Sequence, residues 1–159
     1  MEKTTPAFAA ALGRVPSGIF ILTMNLPEGS TGMLASWVQQ CSFTPPIITV
    51  AVRSDRYVAE RLTQETIFTL NILDKSQTNM LAHFGKGFDL GEPAFEGVEL
   101  IPDCGKAPVL SETIAYLDCK VSERFQPGDH VLIAAVVEDG ALLNEGEPMV
   151  HVRKSGLHY

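Results

Sequence analysis

Thr31-Gly32-Met33-Leu34-Ala35-Ser36-Trp37-Val38-Gln39-Gln40-Cys41-Ser42-Phe43-Thr44-Pro45-Pro46 is the stretch that decides how this chain folds. Small and hydroxyl-bearing residues (Thr31, Ser36, Ser42, Thr44) alternate with apolar ones, which reads as a strand over 31–40. The double proline stops it, because proline cannot donate to a strand ladder. A second strand, Ile47 to Val52, follows, and then a charged corner, Arg53-Ser54-Asp55-Arg56. That order suits a flat aromatic ligand with a phosphate tail. Small side chains let it approach backbone amides, hydroxyls bond its polar edge, and arginines hold the phosphate.

Working outward, Gly18 to Met24 is rich in Ile and Phe and reads as a strand. The turn cluster Pro27-Glu28-Gly29-Ser30 pairs it antiparallel with 31–40. Thr5 reads as the cap of a short first helix, with Pro6 at its first position and Gly13 near its end, and Phe8, Ala11 and Leu12 on one side. Asp55 to Leu62 has helical character, with Val58, Leu62 and Tyr57 turned inward. Thr66 to Leu73 is a strand. Ser76 reads as the cap of a helix over 77–84, burying Leu81 and Phe84. From Gly85 to Pro108 no periodicity lasts, and a long irregular excursion on a compact domain points to function. Thr113 to Phe125 alternates, with Leu117, Cys119 and Val121 on one face and Asp118, Lys120 and Ser122 on the other. Gln126-Pro127-Gly128-Asp129 turns the chain into a strand over 130–138. Asp139-Gly140 and Asn144-Glu145-Gly146 are further turns before a last strand, Met149 to Val152. Many short strands and few helices predict a mainly β domain, 1–159, built as a closed or nearly closed antiparallel barrel.

The bulk numbers narrow the function. A chain of 159 residues with 45% hydrophobic and 19% charged residues can bury a core and is not disordered. A net charge of −7 argues against nucleic acid, because no basic excess is present to displace counterions. Cys41, Cys104 and Cys119 form no CxxC pair. They read as three reduced thiols in a cytoplasmic setting, with neither a zinc site nor a disulfide framework. Met1-Glu2-Lys3-Thr4-Thr5-Pro6 is not followed by a signal-peptide core, and the longest apolar run, Val131 to Val137, is too short to span a membrane. The expectation is a soluble protein with no membrane partner. No GxSxG elbow, GxxxxGK[ST] loop or Rossmann spacing occurs, since Gly85-x-Gly87-x-x-x-Gly91 has the wrong intervals. His83, His151 and His158 lack metal-type spacing, so no metal site is expected.

Three pieces in order carry a resemblance. They are Thr31-Gly32-Met33-Leu34-Ala35-Ser36 leading to Ser42-Phe43-Thr44-Pro45-Pro46, then Phe68-Thr69-Leu70-Asn71-Ile72-Leu73, then Gly128-Asp129-His130 before an apolar strand. Together they resemble the flavin reductase-like family, the FMN-binding split barrels, over residues 8–159. The phrasing Ser17-Gly18-Ile19-Phe20-Ile21-Leu22-Thr23 resembles in particular the flavin reductase module of flavodiiron proteins. An oxygen-reducing di-iron function is not carried over.

The resemblance implies a Greek-key split barrel that binds FMN and takes hydride from NADH or NADPH, and that dimerises with each flavin near the subunit boundary. Thr31, Gly32, Met33, Leu34, Ala35, Ser36 and Trp37 would border the isoalloxazine and ribityl chain, with backbone amides donating to the ring. Cys41 and Ser42 continue that segment. Trp37 either flanks the ring or serves the core or an interface. Arg53, Ser54 and Arg56 would hold the phosphate, against the alternative of a solvated turn. Phe84-Gly85-Lys86 resembles a position close to the flavin, where Lys86 either stabilises negative charge or is solvated. His130 would lie on the nicotinamide side as the candidate catalytic residue, or else be a strand-edge histidine bonding Asp129. Hydride transfer between stacked rings asks for alignment and needs no strong protein acid or base, which fits the missing nucleophile motifs. Three functions follow: an NAD(P)H:flavin oxidoreductase, a flavoredoxin-like FMN electron carrier that docks to a redox partner protein, and a split barrel that has lost its flavin.

Overall fold

The computed structural model describes residues 4–159, and the opening tripeptide Met1–Lys3, part of the leader reading, lies outside them. Nine strands and three short helices are present among the described residues. In chain order they are α1 (Ala7–Gly13), β1 (Ser17–Gly18), β2 (Phe20–Leu26), β3 (Gly29–Ala35), β4 (Val38–Phe43), β5 (Pro46–Arg53), α2 (Tyr57–Arg61), β6 (Ile67–Ile72), α3 (Thr78–Gly85), β7 (Ala115–Phe125), β8 (His130–Leu142) and β9 (Val150–His151). Seven strands form one sheet in the order β3-β2-β6-β7-β8-β5-β4, and every pairing is antiparallel. β1 and β9 form a separate two-stranded ribbon.

The predicted strand over 31–40 is two strands. It breaks at Ser36-Trp37, and its halves lie at opposite ends of the sheet. A chain that leaves one end and at once joins the other forces the sheet to curl. Met33 and Ala35 of β3 then share one buried cluster with Ile48, Val50 and Val52 of β5, so side chains close the barrel where no ladder does. The interior follows the period of two: Leu22 and Met24, Phe68 and Leu70, Cys119 and Val121, Ile133 and Ala135 all point into that cluster. Membrane spans of the helical kind are absent, since no described helix is long and apolar enough to cross a bilayer.

A second core lies outside the barrel. Ile19, Ile21, Leu73, Phe84, Ala94, Leu110 and Met149 are buried there, with Leu34, Leu81, Phe88 and Phe95 packed against them. The irregular excursion therefore covers the outer face of β2 and β3. Further along, it is held by polar side chains that a period-two reading assigns to solvent. Asn71 is fully buried; it donates to the carbonyls of Ile21 (3.2 Å) and Pro108 (3.3 Å) and accepts from the Leu110 N–H at 2.9 Å. Thr69 donates to Asp118 at 2.7 Å and accepts from Ala107 N–H at 3.0 Å, while Asp118 also accepts from Lys106 N–H at 2.9 Å. Asp118, expected on an open face, is 3% exposed for this reason.

Several boundaries differ from the sequence reading. Pro6, not Thr5, occupies the cap position of α1, and the helix buries Ala9 and Gly13 while Phe8 and Leu12 stay exposed. Gln77 precedes α3, and the Ser76 hydroxyl bonds Asp74 instead of the helix. β8 runs through Asp139-Gly140 to Leu142, because a bulge opposite Asp118-Cys119 absorbs the expected turn. Bulges add an unpaired residue and local twist without ending the ladder.

Asn71→Leu should destabilise the fold by about 2–4 kcal/mol in urea unfolding, because it leaves the buried Leu110 N–H without its acceptor and removes one donor each from the Ile21 and Pro108 carbonyls, the latter keeping the Thr23 hydroxyl. An unchanged midpoint would show that the excursion does not depend on this clamp. The cysteines give a second check: Cys41 is exposed, Cys104 half-buried and Cys119 buried. Burial in the barrel pushes the Cys119 thiol up to about 12. Below that value it stays protonated, so near pH 8 it holds about a thousandfold less thiolate than a free cysteine. With a thiol reagent at that pH, Cys41 should react first and Cys104 next, and Cys119 only after denaturation.

Candidate functional site

The break between β3 and β4 leaves a gap in the barrel wall, and a cleft of about 450 Å³ opens there. Its inner wall is Met33, Leu34, Ala35, Ser36 and Trp37 from the end of β3 and the break, faced by Ala51 and Val52 of β5. Leu81, Phe84 and Gly85 from α3 form the apolar side, and Lys75 and Thr78 sit at that helix's entry. Ile19, Met149, Val150 and His151 come from the β1–β9 ribbon, while Arg53, Arg56, Arg153 and Tyr159 close the remaining end. The volume lies in the range of small-molecule sites, and the walls are mainly apolar with polar groups concentrated at one end.

Close packing sets the α3 wall. A Cβ on Gly32 would fall 2.9 Å from the Phe84 ring and 3.3 Å from Phe95, so only glycine lets β3 meet the helix this tightly. Gly87, at a φ of +76°, turns the chain after α3 past the Arg56 guanidinium.

The cationic end is built by the corner after β5. Arg53 pairs with Asp55 at 2.8 Å, and among the described residues no carboxylate lies within ion-pair range of Arg56 or Arg153. Arg153 stacks over the Trp37 ring at 5.1 Å. Trp37 in turn packs against His130, with ring centroids 4.6 Å apart, and against Tyr159 at 5.8 Å. His130 bonds on both sides: Nδ1 to Asp129 and Nε2 to the Tyr159 hydroxyl, each at 2.7 Å. The bond from His130 holds the Asp129 carboxyl below its ordinary value. Burial pushes the Tyr159 phenol up, while Arg53, Arg56 and Arg153 pull it back. At the opposite end Lys75 bonds Glu147 at 2.6 Å, which raises its pKa.

Of the residues singled out from the sequence, the cleft brings together Met33, Leu34, Ala35, Ser36, Trp37, Arg53, Arg56, Phe84 and Gly85. Others lie outside its lining. Thr31 is buried and its hydroxyl bonds Tyr57 at 2.7 Å. Gly32 meets Phe84. Cys41 and Ser42 belong to β4, beyond the break, where Cys41 faces solvent. Ser54 donates to the Asp129 carbonyl at 3.1 Å, which ties the arginine corner to the β7–β8 turn. Lys86 sits over the Phe88 ring at 5.1 Å instead of in the cleft. His130 reaches the cleft through Trp37 and Tyr159. Sequence reasoning missed Lys75 as a lining residue. Arg153 and Tyr159 stand in a tail, 150–159, that resembles the close of the family's domain and is expected near the flavin or across a subunit boundary, with no role given to either residue. Only its return across α1, through Arg153 N–H to the Gly13 carbonyl and Gly156 N–H to the Ala9 carbonyl, brings them to the site.

Comparison with known proteins agrees with this geometry. The flavin reductase like domain family matches residues 12–156. A Synechocystis protein named diflavin flavoprotein A 1 is 38% identical over 94% of this chain, which covers 26% of that protein. Another of the series from the same organism is 42% identical over 99% of this chain and 27% of its own length. The chain thus spans about a quarter of the curated relatives it matches. Among solved structures, the NADH:FAD oxidoreductase SgcE6 of Streptomyces globisporus superposes with a TM-score of 0.82 at 25% identity, covering 90% of this chain and 85% of that one. The styrene monooxygenase flavin reductase of Pseudomonas putida gives 0.77 at 28% identity, covering 92% and 93%.

Proposed function

This chain belongs to the flavin reductase like domain family, and on that footing we propose that residues 1–159 form one FMN-binding unit that passes hydride from NADH or NADPH to flavin. The observation that carries the reading is the cationic end of the cleft. A protein of net charge −7 gathers three guanidiniums beside an apolar slot, and two of them have no carboxylate partner among the described residues. An apolar slot with unpaired arginines at one end fits a planar ring with a phosphate tail.

Each part of the site then has a task. Arg53 and Arg56 hold the phosphate, Arg53 being steadied by Asp55. Leu34, Leu81 and Phe84 give the ring an apolar face. Ser36 and Trp37 lie between two ladders, where the backbone is released to meet the ring's polar edge. Trp37 and His130 form the outer shelf, with Asp129 fixing the imidazole. Bound flavin supplies a ring that accepts two electrons and a proton as hydride. The chain's own contribution is to align the rings and exclude water, because transfer between stacked rings depends on approach and orientation.

A second reading is favoured by the same negative charge. Relatives named diflavin flavoproteins are several times longer than this chain, and a charge of −7 suits docking of an electron carrier to a basic redox partner. We place the protein in the cytoplasm, in keeping with its free thiols. We also propose a homodimer, carried over from the resemblance to split barrels; the exposed apolar side chains of Val150, Val152 and Leu157 are compatible with it.

Arg53→Ala with Arg56→Ala should weaken FMN more than tenfold in a fluorescence titration, since charged hydrogen bonds contribute about 1.5–3 kcal/mol each. Lys86→Ala should leave affinity within about twofold, as expected for an exposed surface charge. Under anaerobic conditions NADH or NADPH should bleach the bound flavin. A flavin that stays oxidised with both would favour the carrier. Gel filtration should give twice the chain mass of 17.3 kDa; a monomer that binds FMN normally would remove the dimer.

A further inference from the structure

The tail that crosses the cleft mouth is fastened unevenly. Up to Gly156 its backbone is bonded to α1, at Gly13 (3.0 Å) and Ala9 (2.7 Å). Beyond that point no backbone bond to α1 is present among the described residues, and the contacts run through side chains. Leu157 N–H bonds the Ser155 hydroxyl at 3.2 Å, Arg153 reaches the His158 carbonyl at 3.5 Å, and Tyr159 bonds His130 at 2.7 Å. Tyr159 is 68% exposed as a residue, yet its hydroxyl end lies on His130, whose side chain is 14% exposed. It caps the shelf from outside.

The place it occupies is poorly matched to a neutral phenol. Trp37 and His130 present two aromatic rings tilted 40° to each other, and Arg53, Arg56 and Arg153 line the same cleft as Tyr159. An aromatic ring with a true anion attached would exchange one neutral hydrogen bond for charge-assisted ones. We propose that Tyr159 is a displaceable lid: a planar heteroaromatic nucleotide phosphate takes its place on the Trp37–His130 shelf and swings it off the imidazole. The inference rests on the nucleotide-binding reading above. The incoming nucleotide is either the flavin or the nicotinamide, which share this chemistry. A lid that holds the shelf closed part of the time lowers apparent affinity by the fraction of open molecules.

The test uses the full chain with Tyr159→Ala and Tyr159→Phe. Trp37 is the only tryptophan, so acrylamide quenching of its fluorescence reads the shelf without any ligand. Tyr159→Ala should raise the quenching constant roughly twofold, as an exposed ring is removed from one side. Equal quenching would overturn the lid whatever the ligand does. With ligand, Tyr159→Ala should tighten FMN binding or lower the KM for NADH about three- to tenfold. The phenylalanine variant should fall between it and the parent. Gain on FMN alone places the lid over the flavin, and gain in KM alone places it over the nicotinamide; both support displacement. Weaker binding of both ligands, or a change of oligomeric state in gel filtration, would make Tyr159 a wall or interface residue and overturn the proposal. A parent protein that binds neither FMN nor NADH would overturn the flavin reading itself, while the acrylamide comparison would still decide where Tyr159 sits.

Discussion

The carbonyl of Trp37 accepts a hydrogen bond from Ala51 N–H at 3.0 Å, at the point where the two ends of the seven-stranded sheet come together. Two residues, Ser36 and Trp37, separate β3 from β4, yet those strands are the first and last of the sheet. A span so short cannot cross an open sheet seven strands wide, since neighbouring strands lie about 4.8 Å apart. Curling is therefore compelled by connectivity, and the buried cluster shared by β3 and β5 fills what the curl encloses. The cleft is the part of the seam that is not filled. Fold and site have one origin, because the residues that break the ladder are those that line the opening.

Charge is distributed to suit that opening. The acidic surplus of the chain lies elsewhere, while the corner after β5 and the returning tail place Arg53, Arg56 and Arg153 at one end. Arg61, by contrast, is engaged by Glu28, and Lys120 by Glu65, at the surface, where such pairs contribute little. For Arg56 and Arg153 the distinction is that no carboxylate among the described residues has claimed them, whereas Arg53 is paired with Asp55. Lys75 likewise lines the cleft with its charge committed to Glu147.

Much of the architecture was legible because β5 and β7 alternate toward the core while β2 and β6, covered on both faces, carry the apolar and β-branched residues of a strand. The arginine corner and the Met33–Trp37 wall were legible for a related reason: they adjoin strands whose ends glycine and proline mark. What failed to show was long-range. Thr69, Asn71 and Asp118 look solvated by pattern, and only the excursion folding back over them makes them a buried clamp. That excursion, read as functional because it is irregular, is in large part a structural cover whose backbone groups are satisfied by those side chains. Cys41 and Ser42 were joined to the site by sequence continuity, which the break at Ser36-Trp37 cuts. Tyr159 and Arg153 were brought near the site only by the tail's resemblance to the close of the family's domain, since nothing in its composition says which helix it will cross.

The chemistry of the cleft is consistent with this economy. No carboxylate is among its lining residues; Asp55 and Glu147 are paired with the lining cations Arg53 and Lys75, and Asp129, its side chain 94% exposed, serves His130. A site for proton transfer would place a buried acid or base against the ligand, with its pKa drawn toward neutrality. Here the polar groups are instead guanidiniums set beside the aromatic rings of Trp37, His130 and Tyr159. Such an arrangement can control distance and angle between two rings, and little else. Under the proposed hydride transfer that control is what the protein must provide, and the rate should follow how well Trp37, His130 and the arginine corner align the two rings.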